Sequence, residues 1–391
     1  MASANNMDFN QAATVLASIV SQASGREVLA PVDTSQFISV AQTALISGYD
    51  PVIHAISQTL SRTIFSVRPY LSKFRGLKAD SIRYGNHVRK LQVVDGTVQE
   101  NDEWKVCAED GNMDMYDAKC PEVLQTNFYG GDTYMLSLKI LSNQLNNAFT
   151  GPQQFSEFIS MLLTNLTNQL EQVRESTARA ALGNFINGKV LGDAGNVVHA
   201  LTEYNTYTGL SLTSTTVYQP ENFADFVRWL YARINQISDM LTYRSYKYHI
   251  NITDKMVQRH TPKDRQKVYI TTEFINMVDA LVRTVNFDNS FMRMADFEKV
   301  GFWQSIDTPF SIQNTPVYMD TSGSLINGAS TRTDNIIGVL FDEEAVGFTE
   351  IDRATEVTPY NPRGRFSVMY LHVTERFWND FTENGVVILL D

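Results

Sequence analysis

The stretch PQQFSEFISMLLTNLTNQLEQVRESTARAALGNFIN, residues 152–187, decides the fold. Its apolar residues Phe155, Phe158, Ile159, Leu162, Leu163, Leu166, Leu170, Val173, Leu182, Phe185 and Ile186 recur mostly in steps of three and four. That is the period that gathers side chains on one face of an α-helix. Gly151-Pro152 supplies a start, since proline is tolerated at the first helical position, and Asn187-Gly188 predicts the stop. At 1.5 Å per residue the helix is about 50 Å long, far beyond the usual three or four turns. Gln153, Glu157, Asn168, Glu171, Gln172 and Glu175 make its other face polar, so it lies across a surface as a spine.

Ahead of the spine the charge changes sign along the chain. From residue 62 to 90, Arg62, Arg68, Lys73, Arg75, Lys78, Arg83, Arg89 and Lys90 stand against Asp80 alone. From 91 to 120, Asp95, Glu100, Asp102, Glu103, Glu109, Asp110, Asp114 and Asp117 outnumber Lys105 and Lys119. HVRKLQVV and EWKVCA read as strands, so the region is expected to be a long two-stranded excursion. Such a hairpin is not stable alone. Either it is a solvated charged loop, or its basic half meets an acidic half on another subunit. The second reading makes Arg83, Arg89, Lys90, Glu100, Asp102 and Glu103 candidates for contacts between subunits. Residues 1–61 alternate short helical patterns with loops, with Asp50 as a cap and Pro51 at a first helical position, and read as an arm.

Beyond the spine the pattern is mixed. PENFADFVRWLYARINQIS and TEFINMVDALVRTV have helical spacing, whereas KVYI, NTPVYMD, NIIGVLF and AVGFTEI read as strands. RFSVMYLHVTERFWNDFTENGVVILLD reads as a long strand, a turn at 383–385 and a further strand. The class is therefore α+β. At 391 residues the chain exceeds what one hydrophobic core sustains, so two domains with appendages are expected.

Composition removes several functions. A net charge of -11 argues against a protein whose main task is gripping phosphate backbones. One stretch, TYRSYKYHINITDKMVQRHTPKDRQK, interleaves tyrosines with cations and makes Tyr243, Arg244 and Lys247 nucleic-acid contact candidates; the alternative is a surface rim meeting acidic partners. Two cysteines in so long a chain do not make a disulfide framework and fit a reducing cytoplasm. No window reaches the roughly 18 apolar residues of a membrane span, and no basic n-region precedes the first apolar residues. GNFINGKV, residues 183–190, imitates a phosphate loop, but Val190 stands where Ser or Thr must bind magnesium. The six histidines do not fall at metal-ligand spacing, and no nucleophile elbow or zinc-protease motif occurs, so no metal, cofactor or catalytic residue is expected. Asp342-Glu343-Glu344 admits two readings: the carboxylates of an acid-dependent hydrolase, or a polar turn between strands.

The order of elements, with KVYITTEFINMVDAL and the closing NIIGVLFDEEAVGFTEI and NPRGRFSVMYLHVTERFWNDFTENGVVILL, resembles the major capsid protein of tailed bacteriophages, the Hong Kong 97-like fold. The size resembles the capsid proteins of small podophages. The resemblance implies an N-terminal arm at 1–65, an extended loop at 66–132, a peripheral domain at 133–198 and 351–391 with the spine at 152–187, and an axial domain at 199–350. It implies a structural protein that forms pentamers and hexamers in an icosahedral shell around packaged double-stranded DNA. Assembly would take place in the host cytoplasm, with scaffolding, portal and decoration proteins as partners and no membrane. No long acidic or coiled segment precedes the arm, so a fused scaffold is not expected. The rival readings are a non-catalytic nucleic-acid-binding protein using the 243–267 stretch and the acid-dependent hydrolase.

Overall fold

The computed structural model describes residues 8–46, 48–62, 72–79, 88–94, 122–251, 257–283, 297–320 and 322–391. Helices α1 (Phe9–Ser24), α2 (Thr34–Ile46) and α3 (Tyr49–Arg62) come first, then strands β1 (Val88–Val93), β2 (Val123–Phe128) and β3 (Gly131–Leu141). Next are α4 (Ser142–Ala148), the spine α5 (Pro152–Gly192), β4 (Val197–His199), α6 (Ala200–Thr208) and α7 (Pro220–Leu241). β5 (Gln266–Thr271), α8 (Thr272–Arg283) and β6 (Phe297–Val300) follow. Two small pairings come next: β7 (Ile312–Asn314) with β10 (Thr331–Thr333), and β8 (Val317–Met319) with β9 (Leu325–Asn327). The chain then runs through β11 (Ile336–Asp342), β12 (Val346–Val357), β13 (Phe366–Asn379) and β14 (Gly385–Leu389).

The spine spans 41 residues, about 60 Å. Gly188 does not end it. A methyl group there would meet the Phe381 ring at 2.5 Å, so this glycine serves close approach inside the helix. The helix ends at Gly192, where a side chain would collide with the Met319 carbonyl oxygen. The lysine of the phosphate-loop lookalike, Lys189, is buried; its ammonium lies 2.8 Å from Asp193 Oδ2 and 3.1 Å from the Tyr248 carbonyl oxygen.

Each half of the spine seeds a different core. Its N-terminal half buries Phe155, Phe158, Ile159 and Leu162 against Leu16, Ile19, Phe37, Ile53, Ile140 and Met369. The helices expected as an arm therefore fold back as a cap on the start of the spine. Asp50, expected to cap α3, lies in its first turn instead, and its carboxylate accepts the Tyr360 N–H at 2.5 Å. The sheet β12-β13-β3, antiparallel throughout, lies against the spine, and β13 points Met369, Leu371, Val373 and Glu375 inward at the two-residue strand period.

The C-terminal half of the spine packs on a five-stranded sheet ordered β4-β14-β11-β5-β6. Phe185 and Ile186 meet Tyr269, Val339, Phe341, Val387 and Leu389 on that face. The opposite face carries Ile270, Ile337, Leu340, Val386 and Ile388 and is covered by α6, α7 and α8 through Leu201, Phe226, Leu230, Ile234 and Phe274. Burial on both faces explains why VVILL is a continuous apolar run with no alternation. The terminal strand, expected to stay with 351–391, leaves that piece and pairs with β11 and β4. The α+β class holds.

Candidate assembly site: the ribbon base and the 380–384 turn

Strands β1 and β2 pair from Val88↔Phe128 to Val93↔Val123, and among the described residues this ribbon joins no other sheet. Side chains two apart share a strand face. Lys90 and Gln92 therefore point one way, and Arg89, Leu91 and Val93 the other. The first face is seated on the chain's own DFTEN turn, residues 380–384. Asp380 Oδ1 accepts the Thr382 N–H at 2.9 Å and its hydroxyl at 2.6 Å, which shapes the turn and leaves Oδ2 free for the ribbon. Lys90 Nζ then lies 3.0 Å from Asp380 Oδ2, 2.6 Å from Glu383 Oε1 and 3.1 Å from Glu344 Oε2. Arg259 adds a second cation, 3.1 Å from Glu383 Oε1 and 3.1 Å from the Thr382 carbonyl, and also bonds Gln92.

The electrostatics follow from burial. Desolvation works against the Lys90 charge, but Asp380 and Glu383 outweigh it and hold the ammonium above the ordinary lysine value. Glu383 is pushed above its ordinary value by burial, with Lys90 and Arg259 pulling the other way. Lys90, a candidate for contact between subunits, thus has its charge committed within its own chain. Arg89 is exposed on the opposite face, whereas Arg83, Glu100, Asp102 and Glu103 lie outside the described residues. Asp380, Glu383 and Gln92 were not singled out in the sequence, and Arg259 was read there only as one cation of the 243–267 stretch. The available signal was a pair of carboxylates, Asp380 and Glu383, in the turn just ahead of the apolar run VVILL.

A second polar hub fixes the spine to the three-stranded sheet. Arg174 Nε lies 2.7 Å from Glu375 Oε1, its other nitrogens reach Glu171 at 3.3 Å and Glu350, and Glu375 is fully buried. The 72–78 segment docks beside it, with the Ser72 N–H donating to Glu171 at 3.1 Å and Lys78 lying 3.7 Å from Glu350. Part of the basic stretch is therefore neutralised by the chain's own spine and sheet.

The acidic triplet is the turn through which the chain passes from the five-stranded sheet to the three-stranded one. Asp342 is buried; its carboxylate accepts the Thr261 hydroxyl at 2.8 Å and the Glu344 N–H at 2.9 Å. Glu343 and Glu344 pair with Arg265 at 3.5 and 3.3 Å. These bonds shape a turn. Asp342→Asn is expected to cost about 1.5–3 kcal/mol in chemical denaturation, the value of a hydrogen bond to a charged group. A loss of hydrolytic turnover with unchanged stability would instead support the acid-dependent reading.

In the aromatic and basic stretch, Tyr243 and Tyr246 are exposed and Lys247 lies 5.1 Å over the Tyr248 ring. Arg259 pairs with Glu383, Lys263 with Asp239 and Arg265 with Glu343 and Glu344, so three of its cations are spent on the chain's own acids. Arg244 also has a partner within the chain.

A long spine helix with a three-stranded sheet on one half, a five-stranded helix-covered sheet on the other and a separate ribbon is the Hong Kong 97-like architecture of tailed-phage capsids. The sequence matches the pattern of Phi29-like phage major capsid proteins over residues 16–389, and the chain belongs to that family. It is similar to a chain in the capsid structure of Staphylococcus phage Andhra, with 10% identity, a TM-score of 0.52, and 84% of this chain and 87% of that chain covered. It is similar to one in the structure of head fiber and inner core protein gp22 of native bacteriophage P68, with 11% identity, a TM-score of 0.54 and the same coverages of 84% and 87%. No curated protein matches it. The chain is a structural protein of the capsid, and its copies associate with one another to form the shell.

Proposed function

We propose that copies of this chain, as pentamers and hexamers, close an icosahedral shell around double-stranded DNA, and that the ribbon carries the contact between neighbours. The supporting observation is the two-faced ribbon. One face is seated on the chain's own 380–384 turn; the other presents Leu91, Val93 and Val123 at 55%, 62% and 55% exposure, with Arg89 beside them. Exposed apolar groups in one patch mark an interaction surface, and a neighbouring copy supplies the cover. Arg89 then faces an acidic surface of that neighbour.

The net charge of -11 suits an inner wall against which DNA must slide during packaging and release. Assembly in the host cytoplasm, with scaffolding, portal and decoration proteins as further partners, completes the reading. The described helices include none long and apolar enough to cross a membrane.

The test is electron microscopy and sedimentation of the purified chain and of the double variant Leu91→Ser, Val93→Ser. Wild type is expected to form closed shells or capsomer rings. The variant, altered only on the exposed face, is expected to keep its circular dichroism and melting temperature but assemble at least tenfold less readily, the effect of about 1.4 kcal/mol per contact. A wild type that stays a dilute monomer, or a variant that assembles normally, overturns the proposal.

A further inference from the structure

His249 is buried between the 380–384 turn and residues 257–259, and each of its ring nitrogens meets oxygen. Nδ1 is 3.0 Å from the Lys247 carbonyl oxygen and 3.2 Å from Asn384 Oδ1. Nε2 is 2.9 Å from the Val257 carbonyl oxygen and 3.2 Å from Asn251 Oδ1. The amides cannot turn their nitrogens toward the ring without breaking other bonds. Asn251 Nδ2 donates to the Tyr246 carbonyl while its Oδ1 accepts the Val257 N–H, and Asn384 Nδ2 donates to the Thr261 hydroxyl.

A neutral imidazole has one N–H, so it satisfies the oxygens on one side only; a second proton would satisfy both. The surroundings oppose that proton. Among the described residues no carboxylate is hydrogen-bonded to the ring. Lys189 of the spine, paired with Asp193, and Arg259, paired with Glu383, both bring positive charge to it. Asp380 and Lys90 stand behind Glu383, and Asp342 is reached only through Thr261 and Asn384. Placing an unpaired charge out of water costs more than one added hydrogen bond returns.

We propose that His249 is an acid-released pin that holds the exposed corner at 243–247, and through Arg259 the ribbon base, against the 380–384 turn. At neutral pH the uncharged ring ties Lys247 and Asn251 to Val257 and Asn384. On acidification a proton is accommodated best when the ring swings into water, the 243–251 corner loosens, and Arg259 lets go of Glu383 and Gln92. Lys90 then holds the ribbon without its second cation.

The sign follows from burial, which lowers the affinity of the seated ring for a proton; the Val257 and Lys247 carbonyls pull the other way, Lys189 and Arg259 add to the lowering, and burial prevails. A histidine depressed in the closed state loses its contribution as pH falls through the free value, about 6.5, toward the depressed one. The pin is therefore fully set above that value and weakens below it.

The experiment is amide hydrogen exchange on the full chain at about pH 7.5 and about pH 5.5, either side of the free histidine value, with rates corrected for intrinsic chemistry. In wild type, peptides covering 243–251 and 88–94 are expected to exchange several-fold faster at the acidic pH. In His249→Gln the two pH values are expected to give the same rates. Acid acceleration that persists in His249→Gln, or that is absent from wild type, overturns the proposal. Should that variant fail to fold, exchange at the His249 ring carbon of wild type gives its titration midpoint. The acceleration must set in as pH falls through the free histidine value and level off at that midpoint; one that sets in only in the carboxylate range near 4.5 overturns the pin.

Discussion

Gly192→Ala is expected to destabilise the chain by about 2 kcal/mol or more, seen as a melting temperature lowered by about 5 °C, whereas Gly195→Ala three residues on changes nothing. The methyl group at 192 has nowhere to go, because the obstacle is the Met319 backbone carbonyl, fixed in the β8–β9 pair and not the end of a flexible side chain. A methyl at 195 meets nothing within 4 Å. Gly188→Ala is expected to fall between the two, since the Phe381 ring can tilt. Equal melting temperatures for the 192 and 195 variants would show that the spine's end does not carry this packing.

The second large effect is Arg174→Met, expected to cost about 3–5 kcal/mol, because it leaves Glu375, Glu350 and Glu171 together with no guanidinium among them. Glu375 cannot reach water where it sits. The double variant Arg174→Met, Glu375→Gln is expected to regain part of the loss, since it removes the stranded charge along with its partner. Urea denaturation of wild type, the two single variants and the double variant measures the coupling. Additive losses in that cycle would show that the pair acts through packing alone.

Much of this fold was legible because its two largest signals are periodic. The spine announced itself by Phe155 to Ile186 at helical spacing, and the closing strands by alternation in β13 and by the apolar run of β14. What stayed hidden depends on contacts between distant residues. Gly188 looks like a helix stop until Phe381, 193 positions later in the chain, is seen lying on it. Lys90 reads as one of eight cations in a basic stretch, and nothing in its neighbours shows that Asp380 and Glu383 will claim it.

The strand β14 likewise continued the closing segment in sequence but left it in space, because VVILL needs two buried faces and only the five-stranded sheet provides them. Arg89 is exposed and Lys90 half-buried, a distinction that rests on strand phase, which the order of charges does not show. His249 was seen only as a histidine without metal spacing; its four oxygens come from residues 247, 251, 257 and 384 and assemble only on folding.

The position of β14 also bears on how the chain is made. On the ribosome, β11 emerges with β5 already available, but its other neighbour is not synthesised until residues 385–389 appear. Until then a face of the sheet core lacks Val386, Val387 and Ile388, β4 has no strand to pair with, and the Lys90 seat does not exist. Nascent chains cut short before that strand therefore lack the surface geometry of a finished subunit. Translation order thus places the closing of this sheet after the synthesis of every other strand in it, so its centre is completed last.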